Sequence, residues 1–312
     1  MSEITVLPQL GPVAPTGRQY ALRHGDLRAT VVEVGGALRE LTVGGRPRLD
    51  GYAEHEPVIG ARGQSLIPWP NRLRDGTYEW DGDRHQVPLT EPDTHNAIHG
   101  LVRWAGWTAS EHSDTAVTMR HRLYPQPGWP FALDLEIAYT LDDAGITVTT
   151  SARNLGTVVC PYGTGAHPYL SVGESHVDGC RLRVAADRYI PTDDRGLPVG
   201  VEPVEGTAYD FREPRLIGDT SVDVAFTGVR RDADGRLRTR LVAPDGTTAT
   251  LWQDESYPYV EIFTGDTLPA SKRRTGVGVE PMTMPPNGLG SGTDVIRLEP
   301  GATHRAQWGI EP

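Results

Sequence analysis

The chain has 312 residues, with 30 Lys or Arg against 41 Asp or Glu and a formal net charge of −11 at pH 7. Nucleic acids and anionic membranes are bound through basic surfaces, so we expect neither as a partner. Two cysteines make no disulfide framework, and no apolar run approaches the length of a membrane span. Because the N-terminus also lacks the basic and apolar regions of a signal peptide, we expect a soluble, cytoplasmic protein.

Alternating apolar and polar residues with a period of two predict β-strands in much of the chain. The clearest segments are residues 26–34, 131–141 and 145–154. Asp-Gly, which supplies the positive φ of tight hairpin turns, begins at Asp50, Asp75, Asp81, Asp178, Asp234 and Asp245. No dozen-residue window carries the apolar stripe of an amphipathic helix. We predict an all-β protein with antiparallel sheets, a sandwich or a barrel, in which residues 1–312 form a single domain because no linker or repeat divides them.

A rigid loop, Pro-Trp-Pro at residues 68–70, precedes Asn71 and Arg72. Proline suits neither a helix interior nor a central strand, so these two side chains should project from a fixed position. The Arg72 guanidinium suits vicinal hydroxyls or a carboxylate, and Trp69 could offer an apolar face to a sugar ring. A structural ion pair is the alternative role for Arg72.

Two histidines, His95 and His99, have the spacing of a helical zinc site. Asn96 follows the first histidine where such a site has glutamate, and Pro92 and Gly100 disfavour a helix, so we reject a metal site here. If the segment is extended, both histidines lie on one face, and His99 could reach a ligand.

His167 lies within Pro-Tyr-Gly-Thr-Gly-Ala-His-Pro-Tyr-Leu, residues 161–170. Pro168 biases the residue before it toward extended backbone, which would present the imidazole from a strand or a strand end. Histidine can give or take a proton near neutral pH, so His167 is a candidate acid or base. A core histidine bonded to a carbonyl is the alternative.

Glu280 follows a run of Gly and Val and is flanked by Val279, Pro281 and Met282. Apolar neighbours should partly desolvate its carboxylate, which raises the pKa and makes the group a more capable base. An exposed glutamate at a sheet edge is the alternative.

Together these motifs resemble the successive active-site motifs of the aldose 1-epimerase, or galactose mutarotase, family. The resemblance rests on Asn71-Arg72, Asn-Ala-Ile-His-Gly at 96–100, His-Pro-Tyr at 167–169, Asp-Val-Ala-Phe at 223–226 and Glu280-Pro, in this order. It extends from about residue 35 to the C-terminus.

The resemblance implies a large antiparallel β-sandwich, the galactose mutarotase-like supersandwich, and an isomerase that interconverts the α and β anomers of a free hexose. Glu280 would take the proton of the C1 hydroxyl, and His167 would protonate the ring oxygen. The residues that would hold the sugar are Arg72, His99, Asp223, Asn71 and Trp69. Phe263 could also stack on the ring, with core packing as its alternative. The resemblance implies no metal or other cofactor and no partner besides the sugar, and we expect a monomer or a homodimer.

Two departures from the family pattern bear on the substrate. Galactose mutarotases usually have His-Gly-Gly where this chain has His-Gly-Leu at 99–101, and Thr where it has Pro281. The sequence Pro-Trp-Pro-Asn-Arg at 68–72 is more similar to that of a bacterial branch of the family, which includes a mutarotase for the anionic sugar sulfoquinovose. Arg74, Arg103 and Lys-Arg-Arg at 272–274 could meet a sulfonate, with solvated side chains as the alternative.

Two other functions remain as alternatives. A non-catalytic sugar-binding protein of the same fold would keep the cleft but would have no reason to retain both Glu280 and His167. The other is a hydrolase or lyase on a related sandwich. Hydrolysis would need a pair of carboxylates beside the scissile bond, for which Asp223 could partner Glu280.

Overall fold

Residues 13–312 are described by a computed structural model of the chain. Strands make up nearly all of the regular structure, and the helical segments of this part are a short 3-10 helix at Val177–Gly179 and α1 at Gly288–Ser291. The prediction of an all-β protein is therefore confirmed. Within residues 13–312, no helix has the length and apolar character needed to cross a membrane.

The strands follow one another closely along the chain. In the first half they are β1 (Gln19–His24), β2 (Leu27–Val32), β3 (Leu38–Val43), β4 (Arg46–Pro47), β5 (Ser65–Leu66), β6 (Arg72–Arg74), β7 (Thr77–Trp80), β8 (Asp83–Gln86), β9 (Asn96–Ile98), β10 (Thr108–His112), β11 (Ala116–Leu123), β12 (Leu133–Asp142) and β13 (Gly145–Asn154). The three segments predicted from alternation correspond to β2, β12 and β13, and β13 has the predicted bounds.

The second half of the chain contains fourteen more strands. They are β14 (Cys160–Tyr162), β15 (Gly165–Ala166), β16 (Tyr169–Leu170), β17 (Arg181–Val184), β18 (Ala186–Ile190), β19 (Glu202–Pro203), β20 (Arg215–Leu216), β21 (Asp223–Val229), β22 (Leu237–Val242), β23 (Thr248–Gln253), β24 (Tyr259–Phe263), β25 (Val277–Met282), β26 (Ile296–Leu298) and β27 (Thr303–Glu311).

Two large sheets dominate the architecture. A nine-stranded sheet has the order β10-β11-β12-β13-β27-β23-β22-β17-β20, and an eight-stranded sheet has the order β19-β18-β21-β24-β25-β15-β5, with β16 also paired to β25. A four-stranded sheet, β1-β2-β3-β4, and the pairs β6-β9, β7-β8 and β14-β26 complete the set. The strand pairs within these sheets are antiparallel, and the whole is a large antiparallel β-sandwich.

The core lies between strands that alternate in burial. Along β12, partly or fully exposed residues separate the buried Leu133, Leu135, Ile137, Tyr139 and Leu141. The same hydrophobic cluster contains Val260, Ile262 and Val279 of the eight-stranded sheet, so the two large sheets share one core. Burying one such side chain stabilises the fold by about 1.5–3 kcal/mol relative to leaving it exposed.

Strands β24 and β25 place carboxylates on the face opposite that core. Glu261 and Glu280 are cross-strand partners; Glu261 lies between the core residues Val260 and Ile262, and Glu280 directly follows the core residue Val279. Because side chains of a strand alternate between its two faces, both carboxylates must point away from the core. The neighbouring strand β21 begins at Asp223, which pairs with Phe263 of β24. The sheet thus provides a rigid floor for a polar site.

The predicted Asp-Gly turns are only partly present. Gly76, Gly82, Gly235 and Gly246 have positive φ, and the turn at Gly82 connects the paired strands β7 and β8. The prediction is wrong at the other two positions, where the glycines do not have positive φ. The Asp-Gly at 178–179 lies in the 3-10 helix, and the Asp-Gly at 50–51 allows close backbone packing, since a Cβ there would lie 2.2 Å from the Arg39 carbonyl oxygen.

At Gly100, the loop that carries His99 packs closely against the loop that follows β5. It has a φ of +72°, and a Cβ at this position would lie 1.9 Å from the carbonyl oxygen of Ile67. The same carbonyl accepts a 2.7 Å hydrogen bond from the Leu101 N–H, so it cannot move away freely. Glycine is therefore required here for both its backbone conformation and its size.

We expect Gly100→Ala to lower the free energy of unfolding by more than a positive φ alone explains. The matched control is Gly301→Ala, because Gly301 has a φ of +77° and no atom within 4 Å of the added Cβ. The control should cost about 1–2 kcal/mol from backbone strain. Gly100→Ala should cost about 1–3 kcal/mol more from overpacking. Urea unfolding of both variants measures the difference, and equal losses would contradict this account of Gly100.

Candidate active site

A cleft with a volume of about 260 Å³ lies over the floor made by β21, β24 and β25. Its walls include six of the seven site residues predicted from the sequence: Asn71, Arg72, His99, His167, Asp223 and Glu280. Apart from the adjacent Asn71 and Arg72, these residues are far apart in sequence and come from separate strands and loops. The fold therefore brings together the groups that the sequence motifs indicated.

Asn71 and His99 hold their two loops together through reciprocal hydrogen bonds. The Asn71 N–H donates to Nδ1 of His99 at 3.1 Å, and the His99 N–H donates to the Asn71 carbonyl at 3.0 Å. Burial, with the positive charge of Arg103, lowers the pKa of His99 well below its ordinary value. His99 is therefore neutral, and because Nδ1 accepts, its proton is on Nε2, where it can serve as a hydrogen-bond donor.

His95 lies outside the cleft. Only Asn96–Ile98 forms a strand, and His95 and His99 on either side of it both have left-handed backbone conformations, with φ values of 56° and 63°. The segment is therefore not extended at either histidine, and the condition under which both would share one face is not met. The exposed His95 ring instead lies 2.9 Å from the carboxylate of Asp75.

The backbone fixes His167 between β15 and β16, at a strand end as predicted. Its N–H donates to the Gln64 carbonyl at 3.0 Å, and its carbonyl accepts from the Gly63 N–H at 2.9 Å. Nε2 of the ring lies 3.1 Å from Oε1 of Glu280, and both side chains are buried. Nδ1 of His167 and Oε2 of Glu280 are buried and have no hydrogen-bond partner within residues 13–312.

Burial controls the protonation of this pair. Burial first, and then the charges of Arg103 and Arg62, lower the pKa of His167 to about 3. Burial and the charge of Asp223 raise the pKa of Glu280 well above its ordinary value, with Arg72 opposing the shift. Both shifts favour uncharged groups, namely a neutral imidazole beside a protonated carboxyl. Moving that carboxyl proton to His167 gives an imidazolium and a carboxylate without any proton from solvent.

A stack of aromatic and cationic groups orients His167. Its ring lies parallel to that of Tyr169, with centroids 4.9 Å apart and an interplanar angle of 11°. The Arg62 guanidinium lies 4.2 Å from the Tyr169 ring centroid and forms a 2.9 Å ion pair with Asp50. The Tyr169 hydroxyl donates to the Gly60 carbonyl at 2.8 Å. Tyr169 belongs to a recognised motif, whereas no sequence signal indicated Arg62.

Arg72 forms the structural ion pair that was the alternative to a ligand-binding role, and it also lines the cleft, so its contact with a ligand stays a prediction. Its Nε donates to Glu91 at 2.9 Å, and Nη2 donates to the other carboxylate oxygen at 3.3 Å. Burial within the cleft walls raises the pKa of Asp223, and the charge of Arg72 opposes this. The Asp223 side chain nevertheless remains accessible to solvent. Arg72 and Asp223 thus provide a donor and an acceptor in the cleft.

Trp69 was wrongly predicted to face the sugar. It is buried in the hydrophobic core, where its ring centroid lies 6.3 Å from that of Trp129, and it does not line the cleft. The core offers the large indole an aromatic environment that the polar cleft lacks. Phe263, for which core packing was the alternative, lines the cleft instead.

Glu261 is a buried carboxyl that the sequence reasoning missed. It lies opposite Glu280 on β24 and accepts a 3.3 Å hydrogen bond from Nδ2 of Asn71. The available signal was a lone carboxylate in the apolar strand Tyr-Val-Glu-Ile-Phe, residues 259–263. Such a residue is expected in a core strand only when it has a structural or chemical role.

Three potential metal ligands also meet in the cleft. Ligand atoms of His99, His167 and Glu280 lie within 4.8 Å of one another, which is close enough to hold an ion. Nδ1 of His99 is already occupied by the Asn71 N–H. His167 and Glu280 are at hydrogen-bond distance from each other, an arrangement that also suits direct proton transfer. The expectation of a reaction without a metal stays a prediction.

Known proteins match the chain along almost its full length. A family model described as aldose 1-epimerase matches residues 18–311. The chain is 33% identical over 297 residues to the uncharacterized protein YihR of Escherichia coli strain K12, covering 95% of this chain and 93% of that protein. It is 28% identical over 233 residues to the galactose mutarotase of Rattus norvegicus, covering 69% and 66%. The crystal structure of a galactose mutarotase-like protein from Clostridium acetobutylicum aligns with a TM-score of 0.82 at 18% identity, covering 93% of both chains.

Proposed function

Because the chain belongs to the aldose 1-epimerase family, and is therefore an isomerase of the mutarotase type, we propose that Glu280 and His167 open and close the ring of its aldose substrate. The observation that carries this assignment is the 3.1 Å separation of Oε1 of Glu280 and Nε2 of His167. The C1 hydroxyl and the ring oxygen are bonded to the same carbon. A base and an acid that act on them must therefore be neighbours.

Ring opening transfers one proton to the enzyme and one proton from it. The carboxylate of Glu280 takes the proton of the C1 hydroxyl, C1 becomes a carbonyl carbon, and the bond from C1 to the ring oxygen breaks. The imidazolium of His167 gives its proton to the departing ring oxygen. Rotation about the C1–C2 bond exposes the other face of the aldehyde, and ring closure reverses both proton transfers. The enzyme returns to its starting state with no net change in protons.

The buried site favours this exchange energetically. The imidazolium and carboxylate that start the reaction are separated charges, which burial disfavours. Ring opening leaves a neutral imidazole and a protonated carboxyl, the forms that burial of His167 and Glu280 stabilises. The charged state and the uncharged state of the pair also interconvert when a proton moves directly between Glu280 and His167. The pair can therefore act in both directions near neutral pH.

Other cleft residues would fix the ring for these transfers. The Arg72 guanidinium and the Nε2–H of His99 can donate to sugar oxygens, and the Asp223 carboxylate can accept from a hydroxyl. Phe263 offers an apolar surface. Holding the sugar in this way aligns C1 with the catalytic pair and removes the entropic cost of finding that geometry during reaction. A neutral free hexose meets these requirements.

We expect Glu280→Gln and His167→Gln each to lower kcat at least about a hundredfold, because each removes a positioned base or acid. The measurement is α-to-β exchange of freshly dissolved α-glucose and α-galactose by polarimetry, corrected for the spontaneous rate. A chelator in the assay should leave the wild-type rate unchanged, since the proposed transfers use no metal.

Matched controls for these two variants are Glu136→Gln and His112→Gln, both on strands of the other large sheet. Circular dichroism and unfolding curves establish that all four variants are folded. A loss of only twofold in a folded Glu280→Gln or His167→Gln enzyme would refute the role assigned to that residue.

Arg103 favours a second candidate, a mutarotase for an anionic sugar such as sulfoquinovose. Arg103 lines the cleft, and within residues 13–312 its hydrogen bond is a long one, 3.5 Å from Nη2 to the Ile98 carbonyl. Burial lowers the pKa of Arg103, and the negative charge of Glu91 opposes this effect. Glu91, however, is already paired with Arg72. An anionic substituent on the sugar would supply the missing countercharge.

The other cations proposed to meet a sulfonate have structural partners or lie outside the cleft. Lys272 donates to the Gly51 carbonyl at 2.9 Å, and Arg274 pairs with Asp178 and Asp266. Arg74 and Arg273 are exposed and do not line the cleft. Arg103, beside the 62% exposed Trp104, is therefore the one member of that predicted set that could contact such a substrate.

If the second candidate is right, we expect Arg103→Gln to raise KM for α-sulfoquinovose at least about tenfold and to leave KM for α-glucose nearly unchanged. A hydrogen bond to a charged group contributes about 1.5–3 kcal/mol, and each 1.4 kcal/mol corresponds to about tenfold in affinity. Exchange between anomers is measured by NMR for both sugars, with Arg74→Gln as the matched control. Equal changes in KM for the two sugars would eliminate the anionic candidate.

A further inference from the structure

Glu261 and Glu280 form a pair of buried carboxyls in adjacent strands. They are directly opposite each other in the register of β24 and β25, and the two residues are only 4% and 2% exposed. Directly opposed residues in antiparallel strands have Cβ atoms about 4.5–5.5 Å apart. Two carboxylates at this separation and degree of burial cannot both ionise without a large cost, so one of them must hold its proton.

The groups around Glu261 do not compensate a negative charge on it fully. Asp223 on β21 and Glu280 on β25 raise its pKa, in addition to the larger effect of burial, and Arg72 acts in the opposite direction. Arg72, however, is already engaged in a two-point ion pair with Glu91. Glu261 therefore faces two carboxyls and one cation that has another partner.

Glu261 also supports the loop that orients the cleft. Nδ2 of Asn71 donates to Oε2 of Glu261 at 3.3 Å, while Oδ1 of Asn71 accepts from the Arg72 N–H at 2.7 Å. The Asn71 N–H in turn donates to Nδ1 of His99. Glu261 is not among the residues that line the cleft. Its influence on a ligand would therefore pass through Asn71 and Glu280.

We propose that Glu261 is a positioning residue that keeps its proton at neutral pH, so that Glu280 alone of this carboxyl pair can become negative, and that it anchors Asn71 behind the cleft. This inference rests on the proposed role of Glu280 as the base. A neutral Glu261 leaves Glu280 free to ionise when its proton moves to His167. If Glu261 ionises at high pH, its negative charge raises the pKa of Glu280. Glu280 then gives its proton to His167 less readily, and ring opening slows.

The first test measures the protonation state directly and does not depend on catalysis. Infrared difference spectra between wild type and Glu261→Gln at pH 7 should show the C=O band of a protonated carboxyl that is present only in the wild type. The band should shift in D₂O, as an exchangeable carboxyl proton requires. If the difference spectrum shows only carboxylate bands at pH 7, Glu261 is ionised and the proposal is wrong.

The second test compares Glu261→Gln with Glu261→Ala. Gln preserves the size of the side chain and an oxygen for Nδ2 of Asn71, so kcat/KM at pH 7 should stay within about threefold of the wild type. Ala leaves the buried amide of Asn71 without its acceptor, and we expect a loss of at least about tenfold. If Ala does not fold, the Gln variant and its pH profile still decide the question.

The pH profile of Glu261→Gln separates the two possible charge states of Glu261. If Glu261 is neutral in the active enzyme, the acidic limb of kcat/KM should stay in place and the alkaline limb should move to higher pH. If Glu261 is ionised there, removing its charge would move the acidic limb to lower pH by about one unit or more, which would overturn the proposal. Failure of the wild type to accelerate anomer exchange would refute the proposed function instead, and the infrared result would still stand or fall separately.

Discussion

The contact between His167 and Glu280 in a buried cleft is the constraint on which the rest of the site depends. Burial disfavours a charge on either residue, and the 3.1 Å separation of their facing atoms allows one proton to move between them. The pair therefore has two forms with the same number of protons, one uncharged and one with opposite charges. In the proposed mechanism, ring opening converts the second form into the first, which suits an isomerase whose forward and reverse steps use the same groups.

The sandwich supplies the rigidity that this arrangement requires. Glu280 is on β25, which is paired on one side with β24 and on the other with β15 and β16, so its backbone cannot shift alone. His167 is held between β15 and β16 and is stacked against Tyr169. Side chains set by packed strands lose little entropy when the substrate binds, and a positioned acid and base depend on that.

Much of the fold and most of the site could be predicted because they depend on local patterns. Alternation identified β12 and β13, and ordered motifs identified six residues of the cleft. The orientation of Trp69 could not be predicted, because a Pro-Trp-Pro loop does not determine which side of the chain faces the core. The contacts of Arg62 with Tyr169 and of Glu261 with Asn71 join residues far apart in the sequence, which no local pattern encodes. The single domain, the oligomeric state and the cellular compartment stay predictions.

The central claim is that Glu280 and His167 act as one unit by exchanging a single proton. The most direct test is the double variant Glu280→Gln/His167→Gln, compared with each single variant in the anomer-exchange assay. Residues that act as a unit give strongly non-additive effects, so kcat of the double variant should lie within about threefold of the slower single variant. If the two losses multiply instead, the residues act independently, and the account of a shared proton is contradicted.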